Sequence, residues 1–286
     1  MPKLLRITAS DKLYLPGLLY CAHNDAKTLF VYVHGAGSSS IVRNTLLFES
    51  LSQTFNTAGA DLLTFMNRGA GYITKFDTAM GKSQLGGMAY EKISDFIYDI
   101  KGVVSWAREH RYENVYLLGH STGANKLALV ADYINRQEDI KGVVLLAGGD
   151  DIALQRSALD DALVDIQRQA EEAISTYRDT ELAPINTLPH PISWRSLYEL
   201  ITVDSDYDIF HFSRRGDMKR IQKTTKPTLV VYGSEDFGTI IKPAIAVRVL
   251  VEQNKHIVGT IINGADHNFT GYETELAKII LAGVKV

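Results

Sequence analysis

Short runs of apolar or alternating residues open the chain: "LLRIT", "LYLPGLLY" and "TLFVYVHG". Their length and their Val, Tyr, Phe and Ile content predict strands, the third of them buried. "ADLLTFMN" reads as another strand. From about Ala89 to His110 the period changes, with apolar residues at Ile93, Phe96, Ile97, Ile100, Val103, Val104 and Trp106. That spacing belongs to an amphipathic helix. "VYLLG" then predicts a buried strand, "STGANKLALVADYIN" a helix and "GVVLLAG" a strand. Such alternation implies a parallel sheet with right-handed crossovers and helices on both faces.

After Asp150 the pattern breaks. Residues 151–223 are polar, rich in Asp, Arg and Gln, and contain no buried strand-like run. "DDALVDIQRQAEEAISTYRD" reads as an amphipathic helix and "LAPINTLPHPISW" as a loop marked by prolines. Alternation resumes with "PTLVVYGSEDF", "IKPAIAVRVLVEQ", "HIVGTIING" and "ETELAKIILAGV". The chain thus divides into a first core part (1–150), a helical insertion (151–223) and a second core part (224–286). An insertion at this point is expected to form a lid over the C-terminal strand ends, where open α/β sheets bind ligands. The alternative is a structural bulge with no role at the site.

The bulk properties narrow the partners. A length of 286 residues, 45% hydrophobic and 22% charged, describes an ordinary globular chain with a sizeable core. A net charge of -3 gives no electrostatic reason to expect nucleic acid. The single cysteine, Cys21, rules out an internal disulfide and a cysteine-built metal site, and suits a reducing, cytoplasmic location. Charged residues interrupt the N-terminal apolar run, and no apolar run approaches 18 residues, so neither a signal peptide nor a membrane span is expected. The apolar C-terminal "IILAGVKV" suits packing on the core or against a second subunit, leaving monomer and homodimer both open.

The candidate chemistry centres on Gly119-His120-Ser121-Thr122-Gly123, which fits G-x-S-x-G and lies between a predicted strand and a predicted helix. In that context Ser121 is expected on a sharp turn that exposes its hydroxyl, with the two glycines relieving crowding. The alternative is that Ser121 or Thr122 simply caps the helix. His34-Gly35-Ala36-Gly37 follows the strand "TLFVYV", where small residues let the backbone approach a substrate. The Thr122 and Ala36 N–H groups are the expected oxyanion hole. His267 alone of eight histidines lies after the last strand and before the final helix, and is the expected base. Asp236 is the expected acid, with Glu235 as an alternative on the same strand end and Asp150 or Asp151 on another. Gly35, Arg68 and His120 are candidate substrate contacts. For Arg68 the competing role is a brace between loops, and for His120 a packing residue pointing away from Ser121. The acidic residues Asp204, Asp206 and Asp208 lack the glycine and terminal Glu of a calcium loop and read as solvated.

The motifs "HGAG", "GHSTG", "YGSED" and "GADHNF", in this order, resemble the α/β-hydrolase superfamily over nearly the whole chain. A finer resemblance, to the branch that includes fungal siderophore-ester hydrolases, rests on "GGMAYEKISDFIYDIKGVVSW" and "PISWRSLYELITVDSDYDIF"; "ANKLAL" departs from it. The superfamily implies an α/β-hydrolase fold, a mostly parallel sheet flanked by helices with a helical lid insertion. It also implies a metal-free, cofactor-free serine hydrolase. Ser121, His267 and Asp236 would cleave a small or medium-sized carboxylic ester through an acyl-enzyme. Thioester, amide or C–C cleavage on the same triad, and a ligand-binding receptor on the same fold, are the rival readings.

Overall fold

The computed structural model describes residues 1–22, 25–37, 41–214 and 216–284. Its N-terminal strands are β1 (Lys3–Thr8), β2 (Tyr14–Tyr20), β3 (Thr28–Val33) and β4 (Ala60–Phe65), with helix α1 (Thr45–Thr57) before β4. A hairpin of β5 (Thr74–Asp77) and β6 (Ser83–Gly86) leads to helix α2 (Phe96–Glu109). Next come β7 (Asn114–His120), α3 (Thr122–Leu129), α4 (Ala131–Asn135) and β8 (Ile140–Leu146). Helices α5 (Asp151–Leu159), α6 (Leu163–Ser175), α7 (Trp194–Ile201) and α8 (Lys219–Gln222) follow, and β9 (Thr228–Gly233), α9 (Pro243–Gln253), β10 (Ile257–Ile262) and α10 (Glu273–Val284) close the chain.

Eight strands form one sheet in the order β1-β2-β4-β3-β7-β8-β9-β10. The β1–β2 and β2–β4 pairs are antiparallel and the remaining pairs parallel. Every residue of β4 and β9 is buried. Strands dressed that way need helices on both faces, which accounts for their continuous apolar runs. Because β3, β7, β8, β9 and β10 run parallel, their C-terminal ends meet along one edge of the sheet.

Several local expectations change. The predicted helix from Ala89 begins only at Ile93, with a 3₁₀ turn that leads into α2. The predicted helix through Asn135 is interrupted at Val130, where α3 ends and α4 begins. α1 interrupts the strand-rich N-terminal region, and its Leu47, Phe48, Leu51 and Phe55 are buried. The Gly-rich stretch around residues 72–90 contains the β5–β6 hairpin. In α10 Leu276, Ala277 and Ile280 are buried, and the helix packs on α1; the last two residues of "IILAGVKV" lie outside the described residues. Among the described residues no helix is long and apolar enough to cross a membrane.

One buried ion pair ties three parts of the chain together. Lys126, on α3, places Nζ 2.6 Å from Oε1 of Glu91, and both side chains are fully buried. Lys126 Nζ also donates to Oδ1 of Asn67 at 3.0 Å. The backbone oxygen of Glu91 accepts from Ser196 Oγ of α7 at 3.0 Å, and Ala89 O accepts from the Ser193 N–H at 2.8 Å. Removing one member of such a pair strands a charge in the core. Lys126→Met alone is expected to cost about 3–5 kcal/mol in urea unfolding, whereas Lys126→Met with Glu91→Met should recover most of that loss.

Candidate active site

Ser121 sits between β7 and α3 with φ 55° and ψ −131°. This left-handed backbone is strained for a residue with a Cβ, by about 1–3 kcal/mol, and persists only where the surroundings impose it. They do so by close approach. A Cβ on Gly119 would overlap the Gly123 carbonyl oxygen, and one on Gly123 would overlap that of Val33. A Cβ on Gly35 would lie 2.9 Å from the Ser121 Cβ. Thus β3, β7 and α3 crowd one point, and the chain there is glycine on every side of the serine.

His267, five residues after β10, places Nε2 2.9 Å from Ser121 Oγ. Its Nδ1 lies 2.9 Å from Asp236 Oδ1, which also accepts the Gly238 N–H at 2.7 Å. The Asp236 side chain is fully buried. The structure therefore brings Ser121, His267 and Asp236 into one line from three different strand ends. Glu235, by contrast, takes up Ser234 Oγ. Asp150 caps α5 through the Ala153 N–H and accepts both the N–H and Oγ of Ser213, so it is fully engaged away from His267.

The turn after β3 is braced from behind. His34 Nε2 accepts the Asn67 N–H at 3.1 Å, which leaves Nδ1–H to donate to Gly35 O at 2.8 Å. Asn67 Nδ2 donates to His34 O as well. Burial, with the Lys126 charge nearby, pushes the His34 imidazole down to about 3, so it stays neutral. No hydrogen bond from the Ala36 N–H is found among the described residues. The Thr122 N–H, first in α3, lies outside that helix's own ladder.

Two candidate substrate contacts are elsewhere engaged. The guanidinium of Arg68 is buried and holds Asp99 (2.7 Å), Asp11 (3.0 Å) and Asp95 (3.8 Å). It braces loops, and a substrate carboxylate has no free face of it to meet. His120 is also buried, and its Nε2–H donates to the His267 backbone oxygen at 2.8 Å. Burial first, and then the neighbouring His267, lower its imidazole to about 4. His120 thus supports the loop carrying His267 rather than reaching the cleft. Of the acidic run, Asp208 pairs with Arg214 and Asp206 with Arg220. Among the described residues no cluster of three or more His, Cys, Asp and Glu could hold a metal ion.

The walls of the cleft come from stretches far apart in sequence. A cavity of about 90 Å³ is lined by Ala36, Met88, Thr122, Asp151, Gln155, Ile192, Leu200 and Tyr207. Asp151 here is no rival triad acid: its Oδ2 accepts from Thr122 Oγ1 (3.1 Å) and Asn125 Nδ2 (3.0 Å). Phe237, 68% exposed, lies with its ring 4.8 Å from that of His267. Its place beside the expected acid was the one available signal.

Burial, reinforced by the Asp150 charge, pushes the Asp151 carboxyl up to about 7 despite the bonds it accepts. Between its ordinary value of 3.8 and about 7 the folded protein holds a proton that the unfolded chain releases. Stability therefore falls as pH rises through that window. Asp151→Asn is expected to melt with the wild type near pH 4 and a few degrees above it at pH 8, as differential scanning calorimetry can show.

The family model for "Serine aminopeptidase, S33" hydrolases matches residues 24–195, more than half of the chain. A search of curated proteins finds no match. Among solved structures, Est1E from Butyrivibrio proteoclasticus aligns with a TM-score of 0.61 at 18% identity, over 99% of both chains. The Pyrococcus furiosus esterase Pf2001 gives 0.61 at 16%, over 100% of this chain and 91% of its own. Bromoperoxidase from Bacillus anthracis gives 0.59 at 16%, over 99% and 100%. At such identities the likeness speaks for the fold. The family match goes further: this chain belongs to the serine aminopeptidase, S33 family of hydrolases and is an α/β-hydrolase enzyme.

Proposed function

We propose that the protein is a serine esterase that cleaves small carboxylic esters through an acyl-enzyme, with Ser121, His267 and Asp236 as its triad. The observation that carries this reading is the pair of 2.9 Å hydrogen bonds from Ser121 Oγ through His267 to Asp236. His267 Nε2 takes the hydroxyl proton as Ser121 Oγ attacks the ester carbonyl carbon. The carbonyl oxygen becomes an oxyanion, held by the Ala36 and Thr122 N–H groups. Collapse breaks the bond to the alkoxy oxygen, which leaves as an alcohol with the proton from His267. Water, deprotonated by His267, then attacks the acyl-enzyme; the bond to Ser121 Oγ breaks, Oγ regains the proton from His267, and the acid leaves. Asp236, fully buried, keeps Nδ1–H in place and stabilises the imidazolium.

Residues 151–223 act here as a lid, supported by Gln155, Ile192, Leu200 and Tyr207, which supply half the cavity wall. A siderophore ester is large for about 90 Å³, and a short acyl group suits the cavity better. The free thiol of Cys21 fits a cytoplasmic enzyme. A second reading, amide cleavage, draws on the family description of serine aminopeptidases. Matched p-nitrophenyl esters and p-nitroanilides separate the two. A fluorophosphonate probe should label the protein once, and Ser121→Ala should abolish both labelling and turnover. Asp236→Asn is expected to lower kcat by about 10⁴-fold, through loss of the correct tautomer, with labelling slowed in parallel. Labelling that survives Ser121→Ala would overturn the assignment.

A further inference from the structure

The cavity beside Ser121 is apolar on one side, at Met88, Ile192 and Leu200, and polar on the other, at Asp151, Gln155 and Tyr207. Ala36 and Thr122, the proposed oxyanion donors, also line it, while His267 does not. The leaving alcohol must take its proton from His267, beside Phe237, so the group entering this cavity is the acyl chain. Resting on the esterase reading, the geometry points to a specificity for short acyl groups that carry a hydrogen-bond donor, hydroxyl or ammonium, received by the Asp151 carboxyl.

The surroundings of Asp151 and the size of the cavity support it. Asp151 is held in place: both donors at its Oδ2, Thr122 Oγ1 and Asn125 Nδ2, come from the helix that Ser121 begins. Oδ1 accepts no hydrogen bond among the described residues, and the residue lines the cavity, so an acceptor remains for a ligand. Burial raises the carboxyl to about 7, a destabilising arrangement that a neutral side chain would avoid and that a bound donor relieves. The volume admits roughly six water-sized groups, which confines the acyl chain to a few non-hydrogen atoms. Gln155, half-buried on the same wall, offers a second polar contact at the far end.

The test compares kcat/KM for three p-nitrophenyl esters of equal size: butanoate, 3-hydroxypropanoate and 3-aminopropanoate. Wild type should prefer the hydroxyl or the ammonium ester over butanoate by about 10- to 100-fold, the scale set by a hydrogen bond to a charged group. A larger gain for ammonium identifies an ionised carboxylate as the acceptor, and a gain for hydroxyl alone a neutral one. Asp151→Asn keeps an oxygen for Thr122 and Asn125 and turns an amide N–H toward the ligand. It should bring the ammonium preference to about one or below, and lower that for the hydroxyl, which can accept as well as donate. Fluorophosphonate labelling of Ser121 reports whether the variant is assembled; if it does not label, the wild-type preference decides. Turnover of butanoate as fast as the other two, or a preference unchanged by Asp151→Asn, overturns this inference alone. No turnover of any ester by a correctly melting wild type overturns the esterase reading and this inference together.

Discussion

The site depends on one steric constraint: β3, β7 and α3 converge on Ser121 more closely than side chains allow. Gly35, Gly119 and Gly123 each occupy a point where a Cβ would press on a neighbouring backbone or on the serine itself. With those contacts in place the serine has no relaxed alternative, and its φ of 55° is imposed rather than chosen. Parallel pairing then does the rest. Val33 lies opposite Gly119, Leu146 opposite His120 and Val231, and Ile262 opposite Gly233. Short loops leaving those positions bring the His267 imidazole to the Ser121 hydroxyl and the Asp236 carboxylate to that imidazole.

Much of this was legible in the sequence because it is local. Strand ends are marked by apolar runs that stop at glycine, and the order Ser121, Asp236, His267 needs no tertiary knowledge to read. What escaped is what long-range packing decides. Lys126 looks like a break in an apolar helix face until Glu91, distant in sequence, is found against it. Arg68 follows a strand near the expected oxyanion turn, as a ligand-binding arginine would, yet Asp99 on α2 holds it. Asp151 attracted notice as a substitute acid. It does follow a strand end, but its partners belong to α3 rather than to His267. The break at Val130 likewise has no glycine or proline to announce it.

Two buried ion pairs and the Asp151 carboxyl differ in what surrounds them. Lys126 with Glu91, and Arg68 with Asp99, are matched pairs whose burial fixes one loop against another. Asp151 meets only neutral donors, and burial dominates its proton affinity. The ion pairs specify where the chain goes. Asp151 leaves an uncompensated acceptor at the wall of the cavity, where the fold gains nothing from it.

Glu91 has a different consequence for how such a protein can change over generations. Its carboxylate engages the nucleophile helix while its backbone oxygen, with that of Ala89, engages the start of α7. The stretch between β8 and β9 is therefore not a cassette that recombination can exchange freely. A transplanted version must bring residues that satisfy the 89–91 backbone, or the helix that begins at Ser121 loses part of its foundation. Variation in substrate range should accumulate by single substitutions within residues 151–223, at positions such as Gln155 and Leu200, rather than by replacement of the whole segment.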